Sequence, residues 1–212
     1  MKTRIIILIT AIVILISICT ISHSYNWGIA YYPTYSTVTE DPLHDEYDET
    51  DKIMYDFKPF GFLFIFDFYL ENNQGFGIST GVGIITKGFF VQRKHSFDRM
   101  NYAYLYVPTL IKYKYSNERF GIYGALGISN SCRWDFRVSY EGQNNTTNYW
   151  DLASGFRIGF ERYVNSGYSI FLEAGFEYSL LNFNSYYRSY IPETKKSHHI
   201  SIMGPAIGVM FM

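Results

Sequence analysis

Eight ionisable residues lie on one face of the strands that the sequence predicts, and they are the first candidates for chemistry. They are Asp67, Lys87, Lys112, Lys114, Arg157, Glu161, Glu173 and Glu177. Antiparallel neighbours would bring such acids and bases side by side. Six of them form a predicted lumen charge network: Asp67, Lys112, Arg157, Glu161, Glu173 and Glu177. The pattern favours a salt-bridged filling of a narrow interior, and a polar conduit or ligand cavity is the alternative.

A histidine and a serine two residues apart could supply a base and a nucleophile. The run His199-Ile200-Ser201 resembles the His-x-Ser pair of lipid A 3-O-deacylases, in which the histidine would activate the serine for ester attack. No Asn follows Ser201, and no acidic residue lies after Glu193 to orient the histidine. We therefore predict no catalytic residues and no cofactor.

An acidic segment and the cysteines are the remaining candidates for ligand binding. The segment holds Glu40, Asp41, Asp45, Glu46, Asp48, Glu49 and Asp51. It lacks the ordered ligand spacing and turn glycine of a calcium loop, and charge runs are usually solvated. Beyond residue 24 the only cysteine is Cys132, which excludes an intramolecular disulfide and a zinc cluster. The sequence predicts no metal site.

The N-terminus has the pattern of an export signal. Lys2 and Arg4 precede a nearly unbroken apolar run from Ile5 to Ile16, and Ser22-His23-Ser24 offers small residues for cleavage. We predict a cleaved signal peptide over 1–24 and one domain over 25–212. A retained membrane anchor is the alternative, although the apolar run is at the short limit of a helical span.

The composition narrows the class of protein. Aromatic residues make up 20% of the chain and charged residues 17%, whereas hydrophobic content is 48%. A helical membrane bundle would be more apolar, and an average soluble domain would carry more charge. The net charge of −1, without a basic block, argues against nucleic acid as a partner. Past the signal no apolar run is long enough for a spanning helix, so strands must cross any membrane.

Alternation with a period of two recurs along the chain. In 169–180 one face reads Ile, Leu, Ala, Phe, Tyr, Leu, and the other reads Ser, Phe, Glu, Gly, Glu, Ser. The ranges 60–69, 76–84 and 150–162 repeat the pattern. A strand separates the two sets completely, whereas a helix would mix them.

The breaks between these runs alternate in length. Short polar turns occupy 71–75, 116–119 and 164–167, and longer polar segments occupy 36–55, 91–101, 134–148 and 184–197. The predicted strands are 25–35, 56–70, 75–90, 102–115, 119–133, 148–163, 168–183 and 198–212. Short turns opposite long loops are typical of an all-β, eight-stranded antiparallel up-and-down transmembrane β-barrel. Several runs exceed the roughly 9–11 residues that cross lipid, so we expect some to project beyond the outer surface.

The two faces decide between a membrane barrel and a soluble barrel or sandwich. The apolar face carries no charge through the strand centres, whereas the other face carries Gly, Ser, Glu, Arg and Lys. We therefore predict that the apolar face meets lipid and the ionisable face is enclosed. Aromatic residues near strand ends are predicted to form the interfacial girdles. They are Tyr25, Trp27, Tyr31, Tyr32, Tyr102, Tyr104, Tyr113, Tyr115, Trp134, Tyr149, Trp150, Tyr163, Tyr168, Tyr186 and Tyr187.

Three consecutive predicted strands carry a family resemblance. The run 103–115, AYLYVPTLIKYKY, resembles the fourth-strand signature of the PorT-like outer-membrane β-barrel family of Bacteroidota. The Gly-rich run 81–89 and the run 120–127 resemble that family's third and fifth strands. Thr109 replaces an expected Leu, and Phe211 is penultimate instead of terminal. The resemblance implies an outer-membrane barrel without known catalysis, and it brings no active-site residues.

These patterns together predict a non-enzymatic protein of the outer membrane. Its expected partners are outer-membrane lipid and an envelope component or surface ligand that touches the loops at 36–55 and 184–197. The alternatives are a small channel or transporter and, with less support, a lipid A-modifying enzyme. The sequence does not indicate a ligand or an oligomeric state.

Overall fold

The computed structural model describes residues 24–38, 52–71, 74–92, 97–133, 150–181 and 198–212. The predicted signal, apart from Ser24, and most of the predicted long loops lie outside these ranges. Within the described ranges no helix has the length and apolarity to cross a membrane. The strands are β1 (Ser24–Tyr31), β2 (Thr34–Val38), β3 (Lys52–Lys58), β4 (Gly61–Glu71), β5 (Gln74–Gln92), β6 (Phe97–Ser116), β7 (Phe120–Arg133), β8 (Trp150–Tyr163), β9 (Tyr168–Ser179) and β10 (His199–Phe211).

The ten segments form eight wall strands, because two wall strands are interrupted. β1 and β2 are parts of one strand that breaks at Tyr32 and Pro33, and β3 and β4 are parts of one that breaks at Pro59 and Phe60. Proline has no backbone N–H to donate to a ladder, so a strand readily breaks there. The predicted count of eight is confirmed.

Each wall strand pairs with its sequence neighbours, and the first pairs with the last. β1 and β2 both pair antiparallel with β10, for example Ile29 with Val209, and this closes the sheet. β5 pairs with β4 along its first half and with β3 near its end. The predicted closed up-and-down topology is confirmed.

Backbone hydrogen bonds connect the residues at the two strand breaks to the neighbouring strands. The Tyr32 N–H donates to the Gly61 carbonyl at 2.7 Å, and the Gly204 N–H donates to the Pro33 carbonyl at 2.8 Å. β10 is itself irregular here, because its register with β9 shifts between Met203 and Ala206, and Gly204 has φ of 99°. Only glycine adopts that dihedral without steric cost.

The predicted orientation of the two faces is confirmed. On β4, Phe62 and Phe64 are 54% and 51% exposed, whereas the intervening Leu63 is 1% exposed. The same alternation holds on β7, β8 and β9. A closed barrel that is apolar outside satisfies its backbone hydrogen bonds internally and can stand in hydrocarbon.

The interior is more aromatic than the sequence predicts. Tyr32, Tyr102 and Tyr104, which we assign to the girdles from sequence, are buried inside the barrel, and Tyr163 faces inward against Lys114, so that assignment is wrong for these four. Tyr25, Trp27, Tyr113, Tyr115 and Trp150 do lie exposed on the exterior. The interior tyrosines pack with Leu63, Ile85, Phe89 and Phe171 among the charges. Tyrosine side chains can pack against apolar neighbours and also hydrogen-bond to charged ones, because each has an apolar ring and a polar hydroxyl.

Candidate functional site

Arg157 on β8 is the centre of an ion-pair network inside the barrel. Its Nη1 donates to Glu173 Oε1 and to the Tyr32 hydroxyl, each at 3.2 Å. Its Nη2 donates to the Tyr106 hydroxyl at 2.5 Å and lies 3.9 Å from Glu177 Oε1. Tyr32 and Tyr106 in turn donate to Glu173 and Glu177. One guanidinium thus holds two carboxylates on the neighbouring strand.

The network continues toward the loop end of the barrel. Lys87 Nζ on β5 lies 3.5 Å from Glu177 Oε2 and 2.9 Å from Asp151 Oδ2. The Ser179 hydroxyl donates to the other oxygen of Asp151. A lysine from the opposite wall therefore links the two carboxylates across the lumen.

The network also continues toward the end where the short turns lie. Tyr123 donates to Glu173 Oε2 at 2.9 Å, and Lys112 Nζ stands 3.8 Å from the centre of the Tyr123 ring. Lys112 pairs with Asp67, which also accepts from the Tyr69 hydroxyl at 3.2 Å. We call Asp67, Lys112, Glu173, Arg157, Glu177, Lys87 and Asp151 the lumenal column.

A separate ion pair lies beside the column near the short turns. Lys114 Nζ is 2.6 Å from Glu161 Oε2, and Ser169 donates to the other oxygen of Glu161. The ammonium group stands 5.4 Å from the Tyr69 ring centre and 5.3 Å from that of Tyr163. The aromatic faces add cation–π attraction to the ion pair.

Glycine on neighbouring strands gives these long side chains their space. A Cβ at Gly159 would lie 2.1 Å from Cζ of Tyr123, and a Cβ at Gly175 would lie 2.9 Å from Cγ of Arg157. The Gly residues that alternate with charged residues in β8 and β9 therefore leave room for long side chains from the neighbouring strands.

The structure places all six residues of the predicted lumen charge network inside the barrel, each at most 8% exposed. Arg157 meets Glu173 and Glu177, and Asp67 meets Lys112, whereas Glu161 meets Lys114 on β6. Sequence reasoning missed the hydroxyl groups of Tyr32, Tyr106 and Tyr123 as members of the network. Position parity could have found Tyr106, because it shares the even-numbered face of β6 with Lys112 and Lys114.

The column is closed to solvent along its length. Lys87, Arg157 and Glu177 are 1%, 4% and 3% exposed. Side chains that line an aqueous pore would be wetted, whereas these are covered by one another and by the interior aromatic rings. Chemically the column can neutralise and hold its own charges.

The candidate nucleophile and base are not joined by a hydrogen bond. His199 and Ser201 are both buried on the lumenal face of β10, and Ser201 Oγ has no hydrogen-bond partner. The acidic segment of residues 40–51 lies outside the described residues. Across the described ranges, no group of three or more His, Cys, Asp and Glu is arranged to hold a metal ion. Cys132 is a free thiol.

No protein-family model and no curated protein matches the sequence. Solved structures of outer-membrane barrels do match. The outer membrane protein AlkL in DMPC bilayers aligns with a TM-score of 0.54 and 10% identity over 88% of this chain and 88% of AlkL. Neisserial surface protein A aligns with a TM-score of 0.44 and 8% identity over 89% of this chain and 99% of its own. Ail of Yersinia pestis, in complex with the heparin analogue sucrose octasulfate, aligns with a TM-score of 0.41 and 15% identity over 89% of this chain and 98% of Ail.

The likeness to AlkL shows a shared fold, since its TM-score exceeds 0.5 while its identity is low. The closed eight-stranded wall and the apolar exterior are those of an outer-membrane β-barrel protein.

Proposed function

We propose that this chain is a non-enzymatic integral protein of the outer membrane that acts through its loop-end surface. Its barrel holds the loops, and its lumen is a structural filling. The observation that carries the proposal is the burial of Arg157, which is 4% exposed at the centre of the lumenal column. A closed lumen leaves the ends of the barrel as the places for contact with another envelope component or a surface ligand.

The charges of the column favour a filling over a conduit. All seven of its members lie within 3.5 Å of an oppositely charged partner. The pairs are Lys87–Asp151, Lys87–Glu177, Arg157–Glu173 and Asp67–Lys112. An ion passing through would have to break several of these contacts at once. Buried charges that lose their partners are strongly unfavourable.

The proposal of a non-enzymatic role is supported by the arrangement on β10. A serine nucleophile needs a base within about 2.6–3.2 Å, with a third group to orient that base. Ser201 Oγ accepts and donates no hydrogen bond, so the pair is not preassembled. The only support left for lipid A modification is the His-x-Ser spacing of His199 and Ser201 in the sequence.

A small channel or transporter is the second candidate. The observation in its favour is the continuity of the column, which carries ionisable groups from Asp67 to Asp151 through the lumen. Movement of Lys87 or Arg157 away from its partners would be needed to open a path.

Conductance in planar bilayers tests the closed lumen. The protein is first shown to be folded by a heat-modifiable shift on gels, and then wild type is compared with Arg157→Ala and with Arg119→Ala, an exposed turn residue. We expect no channels from wild type or from Arg119→Ala. Stable unitary currents from folded wild-type protein that disappear in Arg157→Ala would favour the channel instead.

Loop replacement tests the surface role. Residues 184–197 are replaced by a short Gly-Ser linker, and the matched control replaces 164–167 at the other end of the barrel. Cross-linking in intact envelopes is expected to give a specific adduct with wild type and with the control but not with the loop variant. Equal adducts from all three proteins, all heat-modifiable, would contradict the proposal.

We also propose membership of the PorT-like group of Bacteroidota barrels. The support is the run 103–115 on β6 with its flanking runs on β5 and β7. The resemblance concerns the barrel strands alone, and we do not extend it to a role in secretion.

A further inference from the structure

The outer part of the wall carries an aromatic surface on β2, β3 and the break before β4. Its members are Tyr35 on β2, Tyr55 and Phe57 on β3, and Phe60 in the break before β4. They are 43%, 52%, 44% and 69% exposed. The rings of Tyr35 and Phe57 pack against each other with centroids 4.8 Å apart. We call these four residues the outer aromatic patch.

Phe57 and Tyr55 lie beyond the length that a strand needs to cross hydrocarbon. β4 alone spans Gly61–Glu71, and about 9–11 tilted residues suffice for an apolar band of about 25 Å. With about 2.5 Å of height per tilted residue, Phe57 stands about 10 Å above the outer end of β4.

The exterior of β7 becomes polar at a lower height than that of β3. On β7 the exposed Ile128 is followed on the same face by the exposed Asn130, which lies about ten residues from the short turn. The apolar exterior therefore reaches higher at β3 than at β7.

The inside-out pattern of the membrane strands continues into β3 over residues 55–58. Asp56 and Lys58 point inward, are each 4% exposed and form an ion pair, while Tyr55 and Phe57 point outward. A strand in water gains nothing from burying an ion pair and exposing aromatic rings, because both arrangements are unfavourable there. The same arrangement is favourable against hydrocarbon.

We propose that acyl chains of the outer leaflet cover the outer aromatic patch, so that the lipid boundary is about 10 Å higher at β3 than at β7. The patch is continuous with the lipid-facing side chains Phe62, Phe64 and Phe66 below it. The barrel is accordingly tilted in the membrane, or the leaflet is thicker beside β3. Four side chains cover too little area for a stable dimer, which needs about 800 Å² on each partner.

Site-directed fluorescence tests the proposal in folded, full-length protein. Cys19 and Cys132 are replaced by Ser, and single cysteines are introduced as Phe57→Cys, Ile128→Cys, Asn130→Cys and Ser166→Cys. Each protein is labelled with an environment-sensitive fluorophore in vesicles that contain brominated phospholipid, and aqueous iodide is the second quencher. Ile128 marks hydrocarbon, and Ser166, exposed in the β8–β9 turn, marks water.

We expect the Phe57→Cys label to match the blue-shifted emission and lipid quenching of Ile128→Cys and to exceed those of Asn130→Cys. Iodide quenching at the level of Ser166→Cys would overturn the proposal. Protection from both quenchers, together with cross-linked dimers of Phe57→Cys, would also overturn it and would identify a second copy as the occupant.

Discussion

Replacing Arg157 by methionine removes the cation that holds two enclosed carboxylates. Methionine keeps an apolar, unbranched stem, while the guanidinium with its charge and five N–H donors is lost. Glu173 and Glu177 are 8% and 3% exposed, and water cannot replace the lost contacts without opening the interior. Glu177 keeps Lys87 at 3.5 Å, whereas Glu173 keeps only tyrosine hydroxyls among the contacts described.

The magnitude follows from the geometry. At 3.2 Å and an effective dielectric of about 20, the Arg157–Glu173 attraction is about 5 kcal/mol, before desolvation is subtracted. Removing one partner of a buried pair typically costs about 3–5 kcal/mol. We expect Arg157→Met to lose that much free energy of folding. The double variant with Glu173→Gln should lose less, because a neutral amide needs no cation.

Urea titration of folding into lipid vesicles, followed by the heat-modifiable gel band, measures these differences. Arg119→Met in the exposed β6–β7 turn is the control and should stay within about 0.5 kcal/mol of wild type. A loss below about 1 kcal/mol for Arg157→Met, with no recovery in the double variant, would refute the reasoning, because the carboxylates would then have to be hydrated.

Three further changes probe other parts of the barrel. Phe64→Arg puts a charge at mid-height on the lipid face and should reduce folding stability in the same titration by about 2–4 kcal/mol, whereas Phe64→Leu should be much milder; similar values for both would contradict a lipid-facing Phe64. Gly159→Ala drives a methyl into the Tyr123 ring and should cost about 1–3 kcal/mol. Gly124→Ala, whose nearest neighbour is 4.0 Å away, should be close to neutral, and equal losses would show that the ring can move aside. Ser201→Ala should leave the mass spectrum of lipid A in expressing cells unchanged relative to wild type, and any shift lost in the variant would indicate catalysis.

The sequence predicted the wall well because the alternation is strict wherever one face is charged. On β9, Glu173 and Glu177 mark the enclosed face, and Ala174 and Phe176 between them are then assigned outward. On β6 both faces carry aromatic or aliphatic residues between Tyr102 and Leu110, so local hydropathy does not separate them. Only the parity shared with Lys112 identifies Tyr104 as interior.

The interruptions and the exact pairings could not be read from the pattern. Pro33 and Pro59 each permit a break, but their alignment on neighbouring strands depends on register, which is a tertiary property. The pairing of Glu161 with Lys114 likewise depends on which strands adjoin across β7. A single sequence specifies the faces of strands, whereas contacts across the lumen depend on the shear of the closed sheet.

Closure through β1 and β10 has a consequence for how the protein must be made. β10, which completes the ring, follows the other described strands in sequence, so a wall without it has two edges whose unpaired amides and carbonyls hydrocarbon cannot solvate. An unclosed sheet would also expose Glu173 and Arg157 to lipid. Insertion should therefore wait until β10 is available, and products that stop before β10 should not accumulate in the bilayer.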